Sequence, residues 1–158
     1  MAGVDPKDLF RSLLDEVRSI MGGPGERDVK LQTVCGLLAE RVAHYNWVGF
    51  YLRDRSGREE LVLGPHVGAP TDHTRIPFGR GICGQAAARK ETFVVQDVSK
   101  ETNYLSCSAS VKSEIVVPIM KAGAVAGELD IDSHVSAPFT DDDRAFLEKV
   151  AAEVANIL

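Results

Sequence analysis

Clusters of positive charge are missing from this chain. Its 18 lysines and arginines are scattered among 23 aspartates and glutamates, for a formal charge of −5. A basic face for nucleic acid or for an anionic membrane surface is thereby excluded. Long apolar runs are missing as well. The opening stretch MAGVDPKDLFRSLLDEVRSI interleaves charges with apolar residues, and no later segment reaches membrane-spanning length, so neither a secretory leader nor a spanning helix is expected and the cytoplasm is the expected location. Cysteine is scarce and odd in number. Cys35, Cys83 and Cys107 cannot all pair within one chain, and in a reducing compartment they are expected as thiols, with any disulfide transient. His44, His66, His73 and His134 lie far apart with no close-spaced Cys/His ligand set, so no metal is expected. Gly79-Arg80-Gly81 lacks both the Lys-Ser/Thr of a phosphate loop and the full dinucleotide fingerprint, which removes nucleotide cofactors.

What is present suits one domain over residues 1–158, with a single core. Asp5-Pro6 is an N-cap followed by proline at the first helical position, and apolar residues then recur at helical spacing up to the breaker Gly22-Gly23-Pro24-Gly25. A second helix is predicted over 27–43, with Cys35 among its buried positions as a small hydrophobe. From Trp47 the period becomes two: 47–54 and 60–63 form a hairpin, 74–78 is extended, and a short helix covers about 85–89. Strands follow at 92–95, 114–120 and 125–132, and Thr140 with three aspartates opens a closing helix. Hairpin strands with helices gathered at both chain ends predict an α+β domain built on an antiparallel sheet.

Four observations carry chemistry. Alternation in the last strand sends Val125, Gly127, Leu129 and Ile131 to one face and Glu128, Asp130 and Asp132 to the other. The acidic face is either a solvated one or, with Glu114 at the start of the neighbouring strand, a carboxylate cluster able to hold an ammonium group or retain a proton. The polar stretch 99–112 is too long for an ordinary connection, and Cys107 near its end is expected to be exposed and mobile, as a reactive thiol requires. Cys83 is expected just before a helix, where free N–H groups favour thiolate, or else is a core residue at a glycine turn. Trp47 and Tyr51 share a strand face, either as core or as the wall of an apolar pocket for a thioether.

Taken in order, HYNWVGFYL, LVLGP, RIPFGRGICGQAA, SEIVVP, GELDIDS and FTDDD resemble the GAF-domain free methionine-R-sulfoxide reductases, from about Leu31 to the C-terminus. The resemblance implies a six-stranded antiparallel sheet flanked by helices, a homodimer, and reduction of free methionine-R-sulfoxide with thioredoxin or another thiol as electron donor and no cofactor. It makes Cys107 the nucleophile, Cys83 a second nearby cysteine, Glu114, Asp130 and Asp132 the carboxylates of the site, and Trp47 with Tyr51 the enclosure of the methylthio end. Glu128 and Ser108 join the substrate-binding set by position. Four departures accompany the match, the first being the segment ETNYLS at 101–106 where relatives have a glycine-histidine segment. His73 stands where typical members carry the resolving cysteine, Ser108 where aspartate is common, and Glu128 where an apolar residue is usual. Resolution of a Cys107 sulfenic acid is then expected to fall to Cys83 or to an external thiol, and the alternative is a GAF small-molecule-binding or redox-sensing domain without turnover.

Overall fold

The computed structural model describes residues 3–105 and 108–158. Helix α1 (Pro6–Gly22) starts on the predicted cap, where the Asp5 side chain accepts the Lys7 N–H, and ends at Gly23. Helix α2 spans Arg27–Arg41. Strands β1 (Trp47–Arg53), β2 (Glu60–Val67) and β3 (Arg75–Pro77) precede helix α3 (Gly81–Arg89). Strands β4 (Phe93–Val95), β5 (Ser113–Lys121) and β6 (Ala124–Ser133) lead to helix α4 (Asp141–Ala155). All strand pairs are antiparallel, in the order β3-β2-β1-β6-β5-β4.

The sheet has one thick and one thin cover. Helices α1, α2 and α4 bury Leu13, Val34, Leu38, Phe50, Ile131 and Phe146 against one face. Cys35 sits in this layer with no exposure, and burial pushes its thiol up to about 12. The opposite face is roofed by α3 and the segment after β4, through Ile82, Ala86, Val98 and Val111.

Four details depart from the sequence reading. Helix α3 begins four residues ahead of the expected Gln85, because propensity disfavours Gly81 and Gly84 where packing requires them. A Cβ on Gly84 would lie 2.5 Å from the Pro77 carbonyl oxygen. Strand β2 runs on through Gly64 and Pro65, since β3 pairs only with Glu60, Leu61 and Val62 and leaves the proline no outer neighbour. A register shift at Ile119/Met120 turns Val125 away from Leu129 and Ile131 into the layer containing Tyr51. The 99–112 stretch is not free chain where it is described. It opens with a 3-10 turn (Val98–Lys100), and Asn103 accepts the Gly81 N–H at 2.8 Å while donating to the Gly79 carbonyl at 2.8 Å.

The closing helix is clamped to the start of β1. Asp143 completes a capping box with Thr140 and accepts the Tyr45 hydroxyl at 2.7 Å, with His44 Nε2 also 2.7 Å away. Burial alone would raise the Asp143 pKa, but the bonds from His44, Thr140 and Tyr45 hold it below the usual range. Asp143→Ala is expected to cost about 2–4 kcal/mol in a urea melt at neutral pH. A depressed carboxyl stabilises the fold above its unfolded pKa of about 3.9, so the difference between wild type and variant should shrink as pH falls through the folded value.

Candidate active site

The carboxylates come together under the thin roof. Strand alternation on β6 aims Glu128, Asp130 and Asp132 at α3, and the flanking strands complete the face in register. Asp132 pairs with Trp47 on β1 and Glu114 on β5, Asp130 with Gly49 and Val116, and Glu128 with Tyr51 and Pro118. The acidic face is therefore interior. Glu114 is 6 % exposed, Asp130 and Asp132 are each 2 %, and Glu128 is 0 %.

Burial dictates the protonation. Desolvation, and then the charge of Asp130, push Glu128 and Asp132 well above the ordinary carboxylate range. Asp130 itself is raised by desolvation, with hydrogen bonds from Glu114 and Cys83 opposing the rise. Glu114 bonds both Asp130 and Asp132, an arrangement that two carboxyl groups adopt by sharing a proton. Among the described residues, Oδ1 of Asp130, Oδ1 of Asp132 and both oxygens of Glu128 find no partner in hydrogen-bonding geometry, although the Cys83 thiol is near enough to oppose the rise of Glu128. Burial therefore favours the protonated form across the cluster.

Cys83 lies within the first turn of α3 and is 5 % exposed. Burial first, then Asp130, Glu114, Glu128 and Asp132, drive its pKa well above the ordinary thiol value. The helix terminus expected to favour a thiolate is overwhelmed by burial, with the four nearby carboxyls adding to the rise. Cys107 falls outside the described residues. Ser108 is half-buried, and its side chain accepts the Ser110 N–H at 3.2 Å.

A narrow crevice of about 10 Å³, room for roughly one water molecule, opens onto the cluster, far below the about 300–1,000 Å³ of typical ligand pockets. Tyr51, His73, Arg80, Cys83, Glu114 and Asp130 are among its walls. The Tyr51 hydroxyl donates to the His73 carbonyl at 2.9 Å, so the ring is fixed across the cleft. Trp47 stands behind it, 6.4 Å from Tyr51 and 5.5 Å from His66 between ring centroids, with Nε1 donating to the Ala69 carbonyl at 2.9 Å. Trp47, Glu128, Asp132 and Ser108 do not line this cleft. Sequence reasoning missed Arg80 and Asn103, which acquire their places only when α3 folds back on β3.

Residues 26–158 match the GAF domain. The free methionine-R-sulfoxide reductase of Escherichia coli (strain K12) is 36 % identical over 151 residues, covering 96 % of this chain and 89 % of that protein. The chain belongs to the GAF-domain free methionine-R-sulfoxide reductase family. The reductase of Saccharomyces cerevisiae (strain ATCC 204508 / S288c) is 44 % identical over 107 residues, covering 67 % of this chain and 59 % of that protein. Among solved structures, the Neisseria meningitidis free methionine-R-sulfoxide reductase in complex with its substrate superposes with a TM-score of 0.91 at 37 % identity, covering 99 % of this chain and 92 % of that one.

Within this reductase fold one glycine does specific work. Gly49 sits between the two aromatic positions, opposite Asp130, and a Cβ there would lie 2.4 Å from Trp47 Cη2 and 2.9 Å from His66 Cβ. Gly49→Ala is expected to displace the indole and to cost about 1–3 kcal/mol. A urea melt followed by fluorescence reads both effects, since Trp47 is the single tryptophan.

Proposed function

We propose that this chain reduces free L-methionine-(R)-S-oxide to methionine, with Cys107 as the nucleophile. The observation that carries the reading is the buried, proton-holding cluster of Glu114, Asp130 and Asp132 against a cleft walled by Tyr51. An amino acid's ammonium group and a sulfoxide oxygen both require what this cluster supplies: negative charge on one carboxylate and a proton on another. Arg80 at the exposed rim offers a partner to the substrate carboxylate, and the aromatic wall suits a methylthio group.

The Cys107 thiolate attacks the sulfoxide sulfur while a cluster carboxylic acid protonates the oxygen. The hydroxyl passes to the cysteine sulfur, methionine leaves carrying two more electrons, and Cys107 is left as a sulfenic acid. A second thiol then displaces water to form a disulfide, which an external dithiol reduces. Cys83 holds its proton among four carboxyls, which makes it a slow attacking group, and His73 has no thiol to offer. The recycling thiol is accordingly one supplied from outside, with a thioredoxin-type dithiol the matching reductant. A homodimer in the cytoplasm belongs to the same reading.

Single turnover tests it. Pre-reduced protein, freed of reductant, is mixed with free methionine-R-sulfoxide, methionine is quantified and the intact protein weighed. Near-stoichiometric methionine with a sulfenic acid on Cys107 is expected. A Cys83–Cys107 disulfide would instead assign resolution to Cys83, and no methionine with unchanged protein would point to a binding domain without turnover.

A further inference from the structure

Four carboxyl groups and a thiol share one buried face. The Cys83 sulfur and one oxygen each of Glu114 and Asp130 all lie within 4.8 Å of one another. Beside the thiol, Glu128 is wholly buried, its oxygens out of hydrogen-bonding geometry with any described residue and only the nearby Cys83 thiol opposing the rise of its pKa, and Asp130 Oδ1 also lacks a partner, so the cluster has capacity for a further species. We propose that Cys83, Glu114 and Asp130 form a three-donor binding site for a borderline-soft divalent cation, Zn2+, with the fourth position left to water.

The geometry is close to what the ion needs. Tetrahedral Zn2+ holds sulfur at about 2.3 Å and carboxylate oxygen at about 2.1 Å, which puts its donors roughly 3.5 Å apart. Small side-chain rotations close the remaining distance. One thiolate with carboxylates suits zinc better than the hard cations magnesium and calcium, which select oxygen alone. Linear spacing hid these donors, since they come from α3, β5 and β6 and no two are neighbours in the chain. Binding displaces the Cys83 proton and at least one carboxyl proton, so it is accompanied by proton release.

The ion would occupy the charge that otherwise meets an ammonium group, so Zn2+ competes with free methionine-R-sulfoxide. Competition rests on the proposed reductase function, whereas metal binding does not. The test uses metal-free Cys107→Ser protein, which removes the other thiol of the neighbourhood, titrated with Zn2+ by calorimetry in two buffers and with Co2+ by absorption. One ion per chain is expected, with proton release and a sulfur-to-cobalt charge-transfer band. Adding Cys83→Ser should abolish the band, and either that change or Asp130→Asn should weaken binding more than about tenfold. No band, or equal affinity after Cys83→Ser, overturns the site. In the wild-type chain Zn2+ should raise the apparent KM for the sulfoxide, and Zn2+ bound through Cys83 without effect on a working enzyme overturns the competition. Zn2+ bound as expected to a chain that turns over no sulfoxide would remove the reductase reading and leave the metal site standing.

Discussion

Replacing Cys107 by serine is expected to abolish methionine formation from the free R-sulfoxide, lowering kcat/KM by more than about 10³-fold. A hydroxyl at that position remains protonated near neutral pH and cannot accept the oxygen to give an isolable oxidised state. Cys35→Ala is the control, because its thiol is fully buried in the helical layer, far from the thiolate form. Equal activity in the two variants would place the nucleophile elsewhere. Brief alkylation of the wild-type chain should label Cys107 well before Cys83 or Cys35, both of which are buried thiols with raised pKa values.

Asp130→Asn should lower kcat by about 10²–10⁴-fold while the protein stays folded. Asp130 lines the cleft and touches both Glu114 and Cys83, so removing its charge and its proton disables the relay at its centre. The sign of the pH dependence follows from the raised carboxyls. A general acid works while protonated, so wild-type activity should survive past the ordinary carboxylate range and decline only as the cluster loses its proton at higher pH. Stability runs the same way. A carboxyl with a raised folded pKa stabilises most fully below its unfolded value of about 3.9 and loses that contribution as pH rises through the folded one. Asp130→Asn should therefore lose less stability than wild type between acidic and neutral pH in urea melts. A variant whose kcat and pH profile match wild type would remove Asp130 from the proton path. Gain of stability with loss of rate is the trade expected of a site built from groups that repel one another.

Local signals in the chain were enough for the helix caps, the hairpins and the face that each β6 side chain takes. Asp5-Pro6 and the Thr140 box announce helix starts because capping chemistry is contained within three or four residues. Alternation places Glu128, Asp130 and Asp132 together because successive strand residues point to opposite sides. The same rule failed at Val125, where a register shift against β5 adds a half-step that no single strand encodes. Helix propensity failed for α3, where Gly84 is retained because the backbone of β3 and the following turn presses against it, and Gly81 because it sits at φ +66° against the Leu105 side chain.

Residue order by itself determined the class of fold, the resemblance to the reductases and the set of groups able to do chemistry. Only the tertiary structure decided their states. Whether three strand carboxyls are solvated anions or shared-proton acids depends on what covers them, and the roof of α3 and Asn103 is a long-range contact. The thiol of Cys83 changed character for the same reason. A helix terminus nearby is visible in sequence, but the cover that buries the thiol and the four carboxyls that converge on it from two strands are not, and burial first, then those groups, outweigh the terminus.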